Sequence, residues 1–120
     1  SHVYYNYPMI IDVEKLGCSK FKIADALRAE GVEVATAYQN IHLSPMYQKK
    51  IAFGNKGFPW TAEFARKNIS YAKGICPVAE KLNDETYLGF GMCIYDLNDD
   101  DIDLVIKSFH KVWNNIDQLK

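Results

Sequence analysis

The chain has 120 residues, 48% of them hydrophobic, 24% charged and 13% aromatic, and its 14 Lys+Arg against 15 Asp+Glu leave a net charge of -1. A chain of this size can bury about two-thirds of its unfolded surface without metal or disulfide staples, so a single domain spanning residues 1–120 is expected. The balanced charge and the lack of a basic run argue against nucleic acid and anionic membrane as partners, and no apolar run approaches the ~18 residues of a membrane span.

The chain begins Ser1-His2-Val3-Tyr4-Tyr5, without an initiator Met and with strand-like alternation from the start, and so reads as part of something longer. Apolar residues alternate from Val3 through Tyr5, Tyr7, Met9 and Ile11 to Val13, the period of a strand with one buried face, and Pro8 places that strand at an edge or at a local bulge. Ser19 is a natural N-cap for a helix carrying Phe21, Ile23, Ala24 and Leu27 at helical spacing and closed by Gly31. A short second strand follows at Val32, Val34 and Ala35.

Between Tyr38 and Ile75 the periodicity is lost and Pro45, Gly54, Gly57, Pro59 and Gly74 accumulate, with one short helix expected within 61–71. Much of the aromatic surplus gathers here, including Tyr47, Phe53, Phe58, Trp60 and Phe64, a composition unsuited to a solvated linker. Pro77 suits the first position of a short helix in Cys76–Leu82. The third strand is expected over Thr86–Tyr95, with Leu88, Phe90, Met92 and Ile94 on one face and Gly89, Gly91 and Cys93 on the other, where something packs close. Asn98 caps a final helix with Asp99, Asp100 and Asp101 in its first turn and a stripe from Ile102 through Val105, Phe109 and Val112 to Ile116. This order predicts an α+β fold: a small, mainly antiparallel three-stranded sheet, helices mainly on one face, and a long irregular aromatic-rich segment.

Chemistry-bearing motifs are few. Gly89-Phe90-Gly91 is only GxG inside a strand and makes no phosphate loop. Cys18, Cys76 and Cys93 are widely spaced and odd in number, as expected of free thiols in a reducing cytoplasm. The histidines are scattered, so no metal site is expected, and Lys73 and Lys81 read as surface lysines. His42 stands out, lying between Tyr38 and Tyr47 and beside Pro45 in the long connection. An imidazole there either meets a substrate as donor or charge partner, or holds its own loop by hydrogen bonds.

Five stretches together resemble the C-terminal part of the DegT/StrS-type sugar aminotransferases. They are His2-Val3-Tyr4-Tyr5, the run from Phe21 to Val32, the segment Tyr38…His42-Leu43…Pro45…Tyr47, Cys76-Pro77-Val78-Ala79-Glu80-Lys81-Leu82, and Leu97-Asn98-Asp99-Asp100-Asp101-Ile102-Asp103. The likeness runs over almost the whole chain and is strongest at Pro-Val-Ala-Glu-Lys. It implies a pyridoxal phosphate (PLP) enzyme of the aspartate-aminotransferase fold. Such enzymes transfer an amino group from glutamate or glutamine to a keto-sugar, mostly nucleotide-linked, in amino-sugar and surface-polysaccharide biosynthesis.

On that resemblance the chain is the small C-terminal domain of a longer, cytoplasmic, homodimeric transaminase. The Schiff-base lysine and most PLP contacts belong to the preceding large domain, so no catalytic, cofactor-binding or metal residue is expected here and the chain alone is expected to be inactive. His42 matches the position that approaches the substrate, with Tyr38 and Tyr47 flanking it as further substrate-binding residues. Ala37, Gln39-Asn40-Ile41, Ser44 and the length of 52–74 depart from the family's usual pattern, which leaves the substrate open. Two alternatives stand beside this reading: a free-standing α+β ligand-binding or regulatory module, and a family member acting as a PLP-dependent sugar dehydratase, a choice decided by a residue upstream.

Overall fold

The computed structural model describes residues 5–120. The chain divides into two compact units, one made of residues up to Tyr38 together with Leu82–Lys120, the other of Gln39–Lys81. The balanced overall charge divides with them: the first unit carries thirteen carboxylates against seven basic side chains, net -6, and the second seven basic side chains against two carboxylates, net +5.

In the first unit, strand β1 (Tyr7–Ile10) pairs antiparallel with β2 (Tyr87–Phe90), in a register that sets Tyr7 opposite Phe90 and Pro8 opposite Gly89. The expected second strand, at Val32, Val34 and Ala35, is absent as a strand. Ala35 meets Gly89 through a single antiparallel bridge, each amide donating to the other's carbonyl at 2.8 Å. The pairing stops there because the next partner for Glu33 would be Gly91, where the chain has already turned into the 3-10 turn Met92–Ile94. That turn also ends the expected run to Tyr95 at Phe90 and leaves Ile94 exposed. The α+β class holds, with a two-stranded antiparallel sheet in place of three strands. Val3, the first residue of the expected alternation, lies outside the described residues.

Asp12 caps a single helical turn, α1 (Val13–Leu16), which Gly17 ends in the left-handed region at φ 70. Ser19 caps α2 (Lys20–Ala29) by accepting from the Lys22 amide, as its sequence predicts. Ile23, Ala24 and Leu27 of α2 pack with Ile11, Val32, Val34, Leu88 and Phe90 to form the core, and each such large side chain contributes about 1.5–3 kcal/mol by its burial. Two further short helices, α3 (Pro45–Lys49) and α4 (Pro77–Lys81), belong to the second unit. The final helix α5 (Asp99–Asn114) starts at a capping box in which Asn98 and Asp101 each accept from the other's backbone amide. Its Val112 completes the core, with Val105, Phe109 and Trp113 packed around it.

In the second unit, a 3-10 turn (Ile41–Leu43) leads into α3, where Pro45 occupies the first turn as its fixed φ favours. Phe53 and Phe58 form an isolated antiparallel bridge. The helix expected within 61–71 does not form, and the segment makes turns such as Ala65 N–H to the Ala62 carbonyl. Phe64 is exposed there, so no apolar stripe is available for burial, and a short helix without a buried face is unstable in water. Pro77 opens α4 as expected.

Candidate functional site

His42 sits in the 3-10 turn before α3, and Glu80 sits near the end of α4. Their side chains meet with Nε2 2.8 Å from Oε1, and they are only 9% and 8% exposed. Glu80 is also the anchor of the turn leading into its own helix. The Gly74 amide donates to both its oxygens at 2.8 and 2.9 Å, and the Cys76 amide donates to Oε1 at 3.3 Å. Burial works to raise the carboxyl's pKa, but these two amides and His42 outweigh it and hold Glu80 below the ordinary value of 4.5. An ionised carboxylate only accepts, so the proton of a neutral imidazole lies on Nε2, and ring and tautomer are fixed together.

The loop around His42 is braced further. Gln48 Nε2 donates to the His42 carbonyl at 2.8 Å and to the Tyr71 carbonyl at 2.6 Å. Tyr47 packs edge-on against Trp60, with centroids 6.1 Å apart, and lies tilted against Tyr71 at 5.1 Å, while Trp60 Nε1 donates to the Tyr71 hydroxyl. Holding the loop is one of the two roles open to His42 from sequence, and this geometry supplies it. Tyr47 is in turn a packed ring of the second unit.

Tyr38 belongs to the first unit, as the last residue of its N-terminal stretch. Its amide donates to Asn83 Oδ1 at 2.9 Å, and its ring lines a hollow of about 230 Å3 with Tyr5, Tyr87 and Tyr95. The structure therefore places His42 and Tyr47 in one unit and Tyr38 in the other.

Two residues escaped the sequence reading. Glu80 carries no periodic signal and is identified only by what it touches. Lys20 did carry one: it stands with Ile23, Ala24 and Leu27 at i, i+3, i+4 and i+7, on the buried stripe of α2. It is 1% exposed, and its Nζ donates to the Thr36 and Asn83 carbonyls at 2.6 Å each. Burial lowers its pKa, against the opposing pull of Asp84 and Glu85.

PLP requires a reactive lysine, donors for its phosphate and a carboxylate for its ring nitrogen. The tyrosine hollow offers Glu33 as its one charged wall residue among those described, and Lys20 Nζ is held between two carbonyls. These residues do not fit the cofactor. Among the described residues, no three His, Cys, Asp or Glu side chains cluster to hold a metal ion.

No family model matches the chain, and no solved structure does. It is similar to the protein named Uncharacterized protein MJ1066 of Methanocaldococcus jannaschii, with 23% identity over 84 residues, 70% of this chain. The matched stretch spans 20% of that protein's length. Among the described residues, no helix is long and apolar enough to cross a membrane.

Proposed function

We propose that this chain is the C-terminal small domain of a PLP-dependent transaminase of the DegT/StrS type, one that aminates a keto-sugar with glutamate or glutamine as donor. The observation that carries the reading is the His42–Glu80 pair. Two of the stretches that bear the resemblance, Tyr38…Tyr47 and Cys76–Leu82, are remote in sequence and meet in that one buried contact. A resemblance that runs through tertiary contacts is more specific than separate short matches. The greater length of the archaeal relative is in keeping with a longer parent protein.

On this reading PLP is held by the large domain, where it supplies the electron sink. The present chain contributes a wall of the cleft: His42, oriented by Glu80, with Tyr47 as a further substrate-side residue. The sugar is nucleotide-linked, and the working protein is a cytoplasmic homodimer.

The test is the full gene product, incubated with PLP, glutamate or glutamine, and nucleotide-linked keto-sugars. Formation of 2-oxo acid together with an amino-sugar supports the proposal. A deoxygenated sugar without amino transfer identifies the dehydratase instead, and a full-length product that neither binds PLP nor transfers nitrogen overturns the reading.

A further inference from the structure

The tyrosine hollow lies wholly within the first unit and plays no part in the His42–Glu80 arrangement. It is lined by residues with little or no side chain, Ala35, Gly89 and Gly91, and by Tyr5, Tyr38, Tyr87 and Tyr95. Three of the four tyrosines are held by hydrogen bonds. Asn6 Nδ2 donates to the Tyr87 hydroxyl, Asn83 takes the Tyr38 amide, and Tyr5 and Tyr38 are joined by a side-chain hydrogen bond that raises the Tyr5 phenol's pKa.

No basic side chain lines the hollow among the described residues, so nothing there neutralises a phosphate or a carboxylate. The one charged wall residue is Glu33; Arg28, which shares its carboxylate at 3.3 Å, is not on the wall. The surrounding unit carries net charge -6 and so favours the approach of cations. Four tyrosines beside a carboxylate, in a small hollow without a basic side chain among the described residues, form the chemistry that recognises substituted ammonium groups.

We propose that this hollow binds a small organic ammonium ion, held by cation–π attraction to the tyrosines and by the Glu33 carboxylate. The site stands independently of the aminotransferase reading, because it uses only residues of this chain and needs neither PLP nor a sugar.

The test uses choline chloride as probe and its uncharged isostere 3,3-dimethylbutan-1-ol, each titrated into the 120-residue chain while amide and tyrosine-ring NMR signals are followed. Choline is expected to shift the Tyr38, Tyr87 and Gly89 signals saturably, and the neutral isostere to bind about tenfold more weakly or worse. Tyr38→Leu is expected to weaken choline about tenfold and Tyr38→Phe to retain binding within about threefold, because the ring face is the attractive element. Tyr38 is 67% exposed, so its replacement leaves the core intact. Glu33→Gln gives a second reading, lowering choline affinity without changing that of the isostere. Equal binding of isostere and choline, no saturable shift with choline, or choline affinity untouched by both Tyr38→Leu and Glu33→Gln overturns the proposal.

Discussion

His42 and Glu80 lie 38 positions apart and are joined at 2.8 Å, nearly out of water, so that one carboxylate ties the turn before α3 to the start of α4. The same carboxylate takes the Gly74 and Cys76 amides. Removing it strips partners from three donors at once.

Glu80→Ala is therefore expected to increase hydrogen exchange at the Gly74 and Cys76 amides about tenfold, and Glu80→Gln, which keeps one acceptor oxygen, by less. The pH dependence follows from the depressed carboxyl. Its contribution is present above the ordinary value of 4.5 and is lost as pH falls below that through the lower folded value. Acid unfolding monitored in the wild type and in Glu80→Gln checks this. A variant with the same acid sensitivity as the wild type would falsify the assignment.

Lys20 gives a slope of the same sign at the alkaline end. Burial lowers its pKa, so the folded state binds fewer protons than the unfolded state as pH rises toward 10.5, and stability grows over that range. Lys20→Met removes this rise and leaves the Thr36 and Asn83 carbonyls without their donor, at a cost of about 2 kcal/mol near neutrality. Urea unfolding as a function of pH reads both effects.

The two glycines of Gly89-Phe90-Gly91 are expected to respond differently to the same substitution. A Cβ on Gly89 would collide with the Tyr87 hydroxyl and lie 2.8 Å from Asn6 Nδ2, so Gly89→Ala displaces a rigid, hydrogen-bonded ring and costs about 1–3 kcal/mol. A Cβ on Gly91 meets only the tip of the exposed Ile94 side chain, which can swing away, and Gly91→Ala costs less than about 1 kcal/mol. Chemical denaturation of the two variants under one set of conditions decides the order.

Lys50 ends α3 in the left-handed region at φ 54, where it is the one non-glycine residue with positive φ among those described. Lys50→Gly removes the Cβ clash of that conformation and is expected to stabilise the second unit by about 1 kcal/mol. Thermal unfolding followed through Trp60 fluorescence reports on that unit.

The local elements with a chemical start signal were legible in the sequence. Ser19, Pro77 and Asn98 each open the helix their side chains predict, because a cap is a contact between near neighbours. The second strand, at Val32–Ala35, and the helix within 61–71 do not form, for a common reason. Val32–Ala35 has strand composition, but its partner turns away at Gly91, and 61–71 has apolar residues but no surface to bury them on. The gathering of rings between Tyr38 and Tyr71 was visible too. Its resolution into the packed trio Tyr47, Trp60 and Tyr71 and the exposed Phe53, Phe58 and Phe64 was not.

By itself the sequence determined the α+β class, the capped helices and the isolation of His42 among aromatic residues, since periods, caps and composition act over a few positions. Tertiary structure alone decided that a chain of net charge -1 is an acidic unit and a basic one, that His42 is held by Glu80, and that Tyr38 belongs to a hollow with Tyr5, Tyr87 and Tyr95. These are meetings of side chains far apart in the chain, and a partner brought in by folding leaves no mark on the local pattern of the residue it meets.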